Sequence, residues 1–184
     1  MKIELRRQRA GDATRRLGDA ILVPVGGLDK LATFVALLGS NKLKLVVLHD
    51  RASTPHQKLD DLVRQKLIER KRVLDFLMFL DPAPTEADIE ELLPANAYIA
   101  AFNAAYAKEL NGIVLTGADM GAQPRMIERI NHWLKAKDIT LLKDGGFNHY
   151  RVAQAVLPAL TAATLKPDEL ARFERLFSKV GEVL

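Results

Sequence analysis

Acidic side chains stand at two places in this chain where oxygen chemistry needs them. The first is Asp50, which follows His49 and the apolar run at 43–48, broken only by Lys44. In an open parallel sheet, ligands bind outside the carboxyl ends of the strands, where this carboxylate is expected to lie. It suits a hard cation such as Mg²⁺, which takes one or two protein carboxylates and fills its other positions with water and phosphate oxygens. From position alone, an N-cap or Asx-turn role in the following loop is about equally supported.

The second place is residues 85–91 (TEADIEE), which set Glu86, Asp88, Glu90 and Glu91 within six positions. Thr85 and Asp88 form a capping-box-like pair, so a helix is expected to start here. On it Glu86 and Glu90 share one face, Asp88 and Glu91 project on the other side, and Ile89, Leu92 and Leu93 form the buried stripe. Four crowded acids repel one another unless a cation or a basic partner stands near. A solvated acidic first turn on the helix dipole is the plainer reading, and the residues alone favour it. Residues 145–151 (GGFNHYR) offer His149 as a phosphate ligand, an acid or base, or a helix cap. His49, His56 and His132 lack metal-ligand spacing, and the chain has no glycine-rich ATP loop, GxSxG or HExxH.

The elements that position these residues alternate in type. Residues 20–25 read as a short buried strand interrupted by Pro24. Gly26 and Gly27 then turn the chain into a helix with Leu28, Leu31, Val35 and Leu38 on one face, Asp29 in its first turn and Gly39 at its end. The 43–48 run reads as a parallel strand covered on both faces. A helix bearing Leu59, Leu62, Val63 and Leu67 follows, then a strand over 73–80 closed by Asp81-Pro82. Alternating strands and helices imply an open parallel sheet with right-handed crossovers, hence an α/β fold. From 85 to 184 the pattern is mostly helical. Tyr98, Phe102 and Tyr106 space one face, Met126, Ile127, Ile130 and Leu134 another, and Leu170, Phe173, Phe177 and Val180 the last, which opens at Pro167. The expected division is an α/β domain over 1–84 and a helical continuation over 85–184 that carries the acidic cluster.

Composition bounds the function classes. With 184 residues, 48% hydrophobic and only 6% aromatic, the chain can bury one sizeable aliphatic core. The absence of cysteine excludes disulfides, thiolate metal sites and thiol nucleophiles. No apolar run reaches membrane-spanning length and no signal-peptide order opens the chain, so no membrane partner and a cytoplasmic location are expected. The net charge of +4 is compatible with nucleic acid. Lys2, Arg6, Arg7, Arg9, Arg15 and Arg16 crowd the first 16 residues. They read as a solvated terminal helix first and a phosphate-contacting arm second.

Several stretches, in order, resemble the Toprim region of OLD-family and related AAA-type ATP-dependent endonucleases. They are Val23-Pro24-Val25-Gly26-Gly27 with the helix through Leu38, Val46-Val47-Leu48-His49-Asp50, and Glu86 through Leu93 followed by Tyr98 and Asn103-Ala104-Ala105-Tyr106. Phe147-Asn148-His149-Tyr150 looks like a further family element. The resemblance implies an open parallel sheet of Toprim, Rossmann-like type, binding one or two Mg²⁺ or Mn²⁺ ions and cutting DNA backbones. Two close metals would stabilise the attacking and leaving oxygens. Carried over, Asp50, Glu86, Asp88 and Glu90 become metal ligands, and Asp50, Glu86 and His149 the catalytic set.

The chain also departs from that pattern. Ala52 stands where many Toprim proteins have a second aspartate, Glu91 replaces a more usual aspartate, and Glu4 is not followed by glycine. A family strand ending in glutamate and glycine and the ATPase half are expected to be missing from this chain, the ATPase supplied by another chain or partner subunit. The expectation is a metal-dependent DNA endonuclease domain holding at most one ion well, compatible with a homo-oligomer. The alternative is a non-catalytic Toprim remnant or interaction domain. A phospho-acceptor receiver domain is a weaker third reading, because the acidic pair and lysine it requires are not evident.

Overall fold

The computed structural model describes residues 20–40, 43–53 and 56–184. The basic arm from Lys2 to Arg16, and Glu4, lie outside the described residues. Two strands, β1 (Val47–His49) and β2 (Val73–Asp75), pair in parallel with Val47 opposite Val73, Leu48 opposite Leu74 and His49 opposite Asp75. Alternation along the strands sends these pairs to opposite faces. Val47 and Val73 join Leu31, Val35, Leu59, Leu62 and Ile68, contributed mainly by α1 (Leu28–Ser40) and α2 (Gln57–Arg64). Leu74, with Leu48 beside it, joins Phe76, Phe79, Ala87, Leu92, Leu176 and Val183. Both faces of the sheet are therefore covered, as a continuous apolar run requires.

The parallel arrangement matches the sequence expectation, but the strands are shorter. Beyond Asp75 the chain tightens into a 3₁₀ helix at Phe76–Phe79, which tucks both terminal phenylalanines into the core. With only three residues of β2 on offer, residues 43–46 find no ladder partner and remain outside β1. Residues 20–25 do not form the expected buried strand. They carry no regular secondary structure and pair with no strand among the described residues, with Ile21 86% and Leu22 71% exposed. Pro24 has no N–H to give a ladder, and only Val25 packs on the core beneath α1 and α2.

A third apolar cluster lies in the helical half. Tyr98 and Phe102 of α3 (Ala95–Ala105), Ile130, Trp133 and Leu134 of α4 (Met126–Ala136), and Val152 and Val156 of α5 (His149–Val156) meet there with Phe147. Phe102 is its hub, with ring centroids 5.3 Å from Tyr106, 5.2 Å from Phe147 and 6.2 Å from Trp133. Asn103 fixes the chain's return, because its amide donates to the Leu115 carbonyl (2.8 Å) while its oxygen accepts from the Leu115 N–H (2.9 Å). The last helix, α6 (Pro167–Val183), begins at the expected proline but packs through Phe173, Leu176, Val180 and Val183, a stripe shifted from the expected one. It lies against the 3₁₀ helix that follows β2 and clamps its end: Arg175 donates to the Phe79 carbonyl at 2.7 Å.

Candidate functional site

The site forms because the chain just after β1 zips to the acidic segment. The Arg51 N–H donates to the Ala87 carbonyl at 2.7 Å, and the Ala87 N–H returns a bond to Arg51 at 2.9 Å. This antiparallel bridge makes Glu86-Ala87-Asp88 extended, where a helix was expected from Thr85. Ala87, fully buried, is what anchors it. Side chains alternate, so the neighbours of a bridged pair point to the other side. Carried one residue each way, the register sets Asp50 across from Asp88 and Ala52 across from Glu86. The helical turn begins only afterwards, at Ile89–Leu92, and Asp88 rather than Thr85 caps it.

The acids then divide by role. Glu91 is structural: one carboxylate oxygen accepts the Asp88 N–H at 2.7 Å and the other caps α4 by accepting the N–H of Met126. Arg172 of α6 holds the same turn by donating to the Glu91 carbonyl at 3.3 Å. Glu86 and Asp88 turn to Arg125, whose Nε lies 3.1 Å from Glu86 and whose Nη1 lies 3.2 Å from Asp88. The Nε hydrogen is not aligned on Glu86, so that contact is an ion pair without a formed hydrogen bond. Arg125 also pairs with Glu128 in the first turn of α4. That hydrogen bond, ahead of the one from Asp88, holds the guanidinium in its protonated form.

Asp50 and Glu90 remain. Asp50 accepts a hydrogen bond from the Ile89 N–H, yet burial first and the Asp88 charge second push its pKa up. Glu90, with a side chain 12% exposed, is raised to about 7, chiefly by burial and then by the charges of Asp88, Asp50 and Glu91. His149, the first residue of α5, places Nδ1 3.8 Å from Glu90. Burial lowers its pKa, so the imidazole favours its neutral form. The charges that oppose this come from Asp88 and Asp50 rather than Glu90, and the 3.8 Å contact is no formed ion pair. Asn148, and not His149, caps α5, accepting from the Tyr150 and Arg151 N–H groups.

Sequence reasoning foresaw Asp50 beside the acids but missed four participants. Arg125 follows a loop with no local sign of function. Tyr98 reads as core, and is 1% exposed, but its buried hydroxyl has no hydrogen-bond partner and lies in the field of Glu90, Glu91 and Asp88. His49 and His56 both aim ring nitrogens at the Asp50 carbonyl, at 2.7 and 3.1 Å, with rings edge to face. No spacing rule links positions 49 and 56.

The donor set can be tested for Mg²⁺ or Mn²⁺. Among the described residues, neither Asp50 nor Glu90 has an arginine or lysine at ion-pair distance, and both are hard oxygen donors. Glu86 and Asp88 are engaged by Arg125, and no three side chains among the described residues are arranged to cage a metal. Since Mg²⁺ often takes one or two carboxylates and keeps several waters, Asp50 and Glu90 are of the donor type that one such ion would use, and the remaining acids of the cluster are already engaged. Comparison of the chain with protein-family models, curated proteins and solved structures found no match. No helix among the described residues is long and apolar enough to cross a membrane.

Proposed function

We propose that the cluster at the carboxyl end of the strands is the divalent-cation site of a Toprim-type domain acting on DNA phosphodiester bonds. The observation that carries this reading is the 51–87 bridge, which gathers Asp50, Asp88 and Glu90 at the edge where parallel sheets bind ligands. Their mutual repulsion favours a positive ligand.

In this reading Asp50 and Glu90 hold one Mg²⁺ or Mn²⁺, the remaining positions taken by water and phosphate oxygens. When bound, the cation neutralises phosphate charge and acidifies coordinated water. Asp88 supports the ion from across the bridge, while Glu86 fixes Arg125. His149, neutral and beside Glu90, can accept the proton that hydrolysis releases. With one ion where the two-metal arrangement uses a pair, cleavage by this chain alone is slow, and an ATPase chain is the expected partner. The test is incubation of supercoiled plasmid with the purified protein in Mn²⁺ or Mg²⁺, beside Asp50→Ala. Weak nicking that vanishes in the variant supports the proposal, and nicking indifferent to the substitution contradicts it.

One observation favours a second reading, a non-catalytic Toprim remnant or interaction domain. Arg125 already neutralises part of the cluster. No nicking by either protein under any cation supports that reading.

A further inference from the structure

We propose that the open cavity between α3 and the 3₁₀ turn at Gly117–Asp119 binds an aliphatic monocarboxylate, with the Arg129 guanidinium as its anchor. The site is separate from the acidic cluster and uses none of its carboxylates.

The cavity measures about 520 Å³, inside the range of roughly 300–1,000 Å³ typical of small-molecule sites. Ala95, Ile99 and Ala100 of α3, with Met120, give it an apolar wall that holds no aromatic ring, a surface suited to an aliphatic body. Met120 can adjust to the shape of that body, because an unbranched thioether fills irregular gaps. Polar groups on the wall are few, as in ligand sites generally. The Asn103 amide is committed to both backbone groups of Leu115, at 2.8 and 2.9 Å. Asn96, which is exposed, and Arg129 remain.

Arg129 is held in position yet lacks a counter-ion. Its Nε donates to the Gln123 carbonyl at 2.6 Å and its Nη2 to the Pro124 carbonyl at 2.8 Å. These two bonds use the side edge of the guanidinium and fix its plane. The end edge, Nη1 with the outer Nη2 hydrogen, meets no acceptor among the described residues, and no carboxylate among them stands at ion-pair distance. Glu91 feels the Arg129 charge, but its own oxygens accept the Asp88 and Met126 N–H groups. The first turn of α3, at the border of the cavity, carries no acid either. A planar pair of N–H donors fits a carboxylate in bidentate fashion. Because the plane is already set, less ordering is needed when the ligand binds. Charge decides between a carboxylate and a phosphate. One guanidinium balances one carboxylate, whereas a phosphate monoester brings about −1.5 to −2 and leaves surplus negative charge near Glu91.

The experiment is isothermal titration of the full chain with octanoate, octanol and octyl phosphate, each kept below the concentration at which it aggregates. Wild type is expected to bind one octanoate per chain, and to bind octanol about tenfold or more weakly for want of the charge-assisted pair. Octyl phosphate is expected to bind more weakly than octanoate. Arg129→Gln should lose about tenfold or more in octanoate affinity, and Ala100→Phe, at an exposed position of α3, should block the cavity. Absence of saturable octanoate binding in wild type overturns the proposal, as does unchanged affinity in either variant. Octyl phosphate binding more tightly than octanoate overturns the carboxylate assignment, and octanol binding as tightly overturns the anchoring role of Arg129. Circular-dichroism melts establish that the variants fold. Should Arg129→Gln be unfolded, Arg129→Lys replaces it, since an ammonium lacks the bidentate fork. Weaker octanoate binding with octanol binding unchanged is then expected, and equal octanoate affinity overturns the proposal.

Discussion

Glu90 carries the most of the site's electrostatics in one side chain. Its carboxyl is raised from the usual 4.5 to about 7 by burial and by the neighbouring Asp88, Asp50 and Glu91. The folded state thus binds a proton that the unfolded chain releases. Glu90 therefore adds stability that is fully present below about pH 4.5 and is lost as pH rises through about 7. The shift corresponds to about 3 kcal/mol. Glu90→Gln should raise the urea midpoint at pH 8 and leave it nearly unchanged at pH 4, as urea denaturation at the two pH values will show. A destabilised variant at pH 8 would contradict this account of the residue. In the proposed cation reading an ion on Glu90 displaces the same proton, so Mn²⁺ affinity is predicted to climb between pH 5 and about 7 and level off above. Isothermal titration in buffers of different ionisation heat will detect the proton released.

Backbone geometry decides which elements serve the site. Gly145 and Gly146 turn into α5 with φ of 81° and 73°, the left-handed region where a side chain is strained. A Cβ on Gly146 would also stand 3.3 Å from the Asn131 side chain. Gly146→Ala should cost about 1–3 kcal/mol and displace His149, seen as a lower denaturation midpoint. An unchanged midpoint would show that the turn is not under that constraint. At this scale the sequence was informative where the pattern is periodic. The stripe Met126, Ile127, Ile130 and Leu134 is buried as read. It misled where the outcome rests on a distant partner. Residues 85–88 look like a helix start, with Thr85 and Asp88 at capping spacing, yet the Arg51 backbone claims Ala87 and delays the turn to Ile89. Residues 20–25 have strand composition but no ladder partner among the described residues, and stay unpaired. The site was legible to the extent that the chain's own order places Asp50 at a strand end. Arg125 and the Tyr98 hydroxyl were not, because an arginine after a loop and a tyrosine in an apolar stripe carry no local mark of what they meet.

At the scale of the molecule, three apolar clusters among the described residues support one edge. The sheet is closed on one face by α1 and α2 and on the other by α6, while the aromatic cluster beneath α3, α4 and α5 holds the helix ends that bring Arg125 and His149 to the acids. Phe102, wholly buried among Tyr106, Trp133 and Phe147, is the common packing point of that cluster. Phe102→Ala should lower stability by about 3–5 kcal/mol, read from a denaturant midpoint, and a loss within experimental scatter would contradict this packing role. The central claim, that Asp50 and Glu90 hold one divalent cation, predicts that the folded state gains stability by mass action. The most direct measurement is the melting temperature at pH 8 across a millimolar Mn²⁺ series, for wild type and Asp50→Ala. The account predicts a saturating rise in wild type that Asp50→Ala loses. A wild-type melting temperature indifferent to Mn²⁺, or a rise that survives in Asp50→Ala, would contradict it.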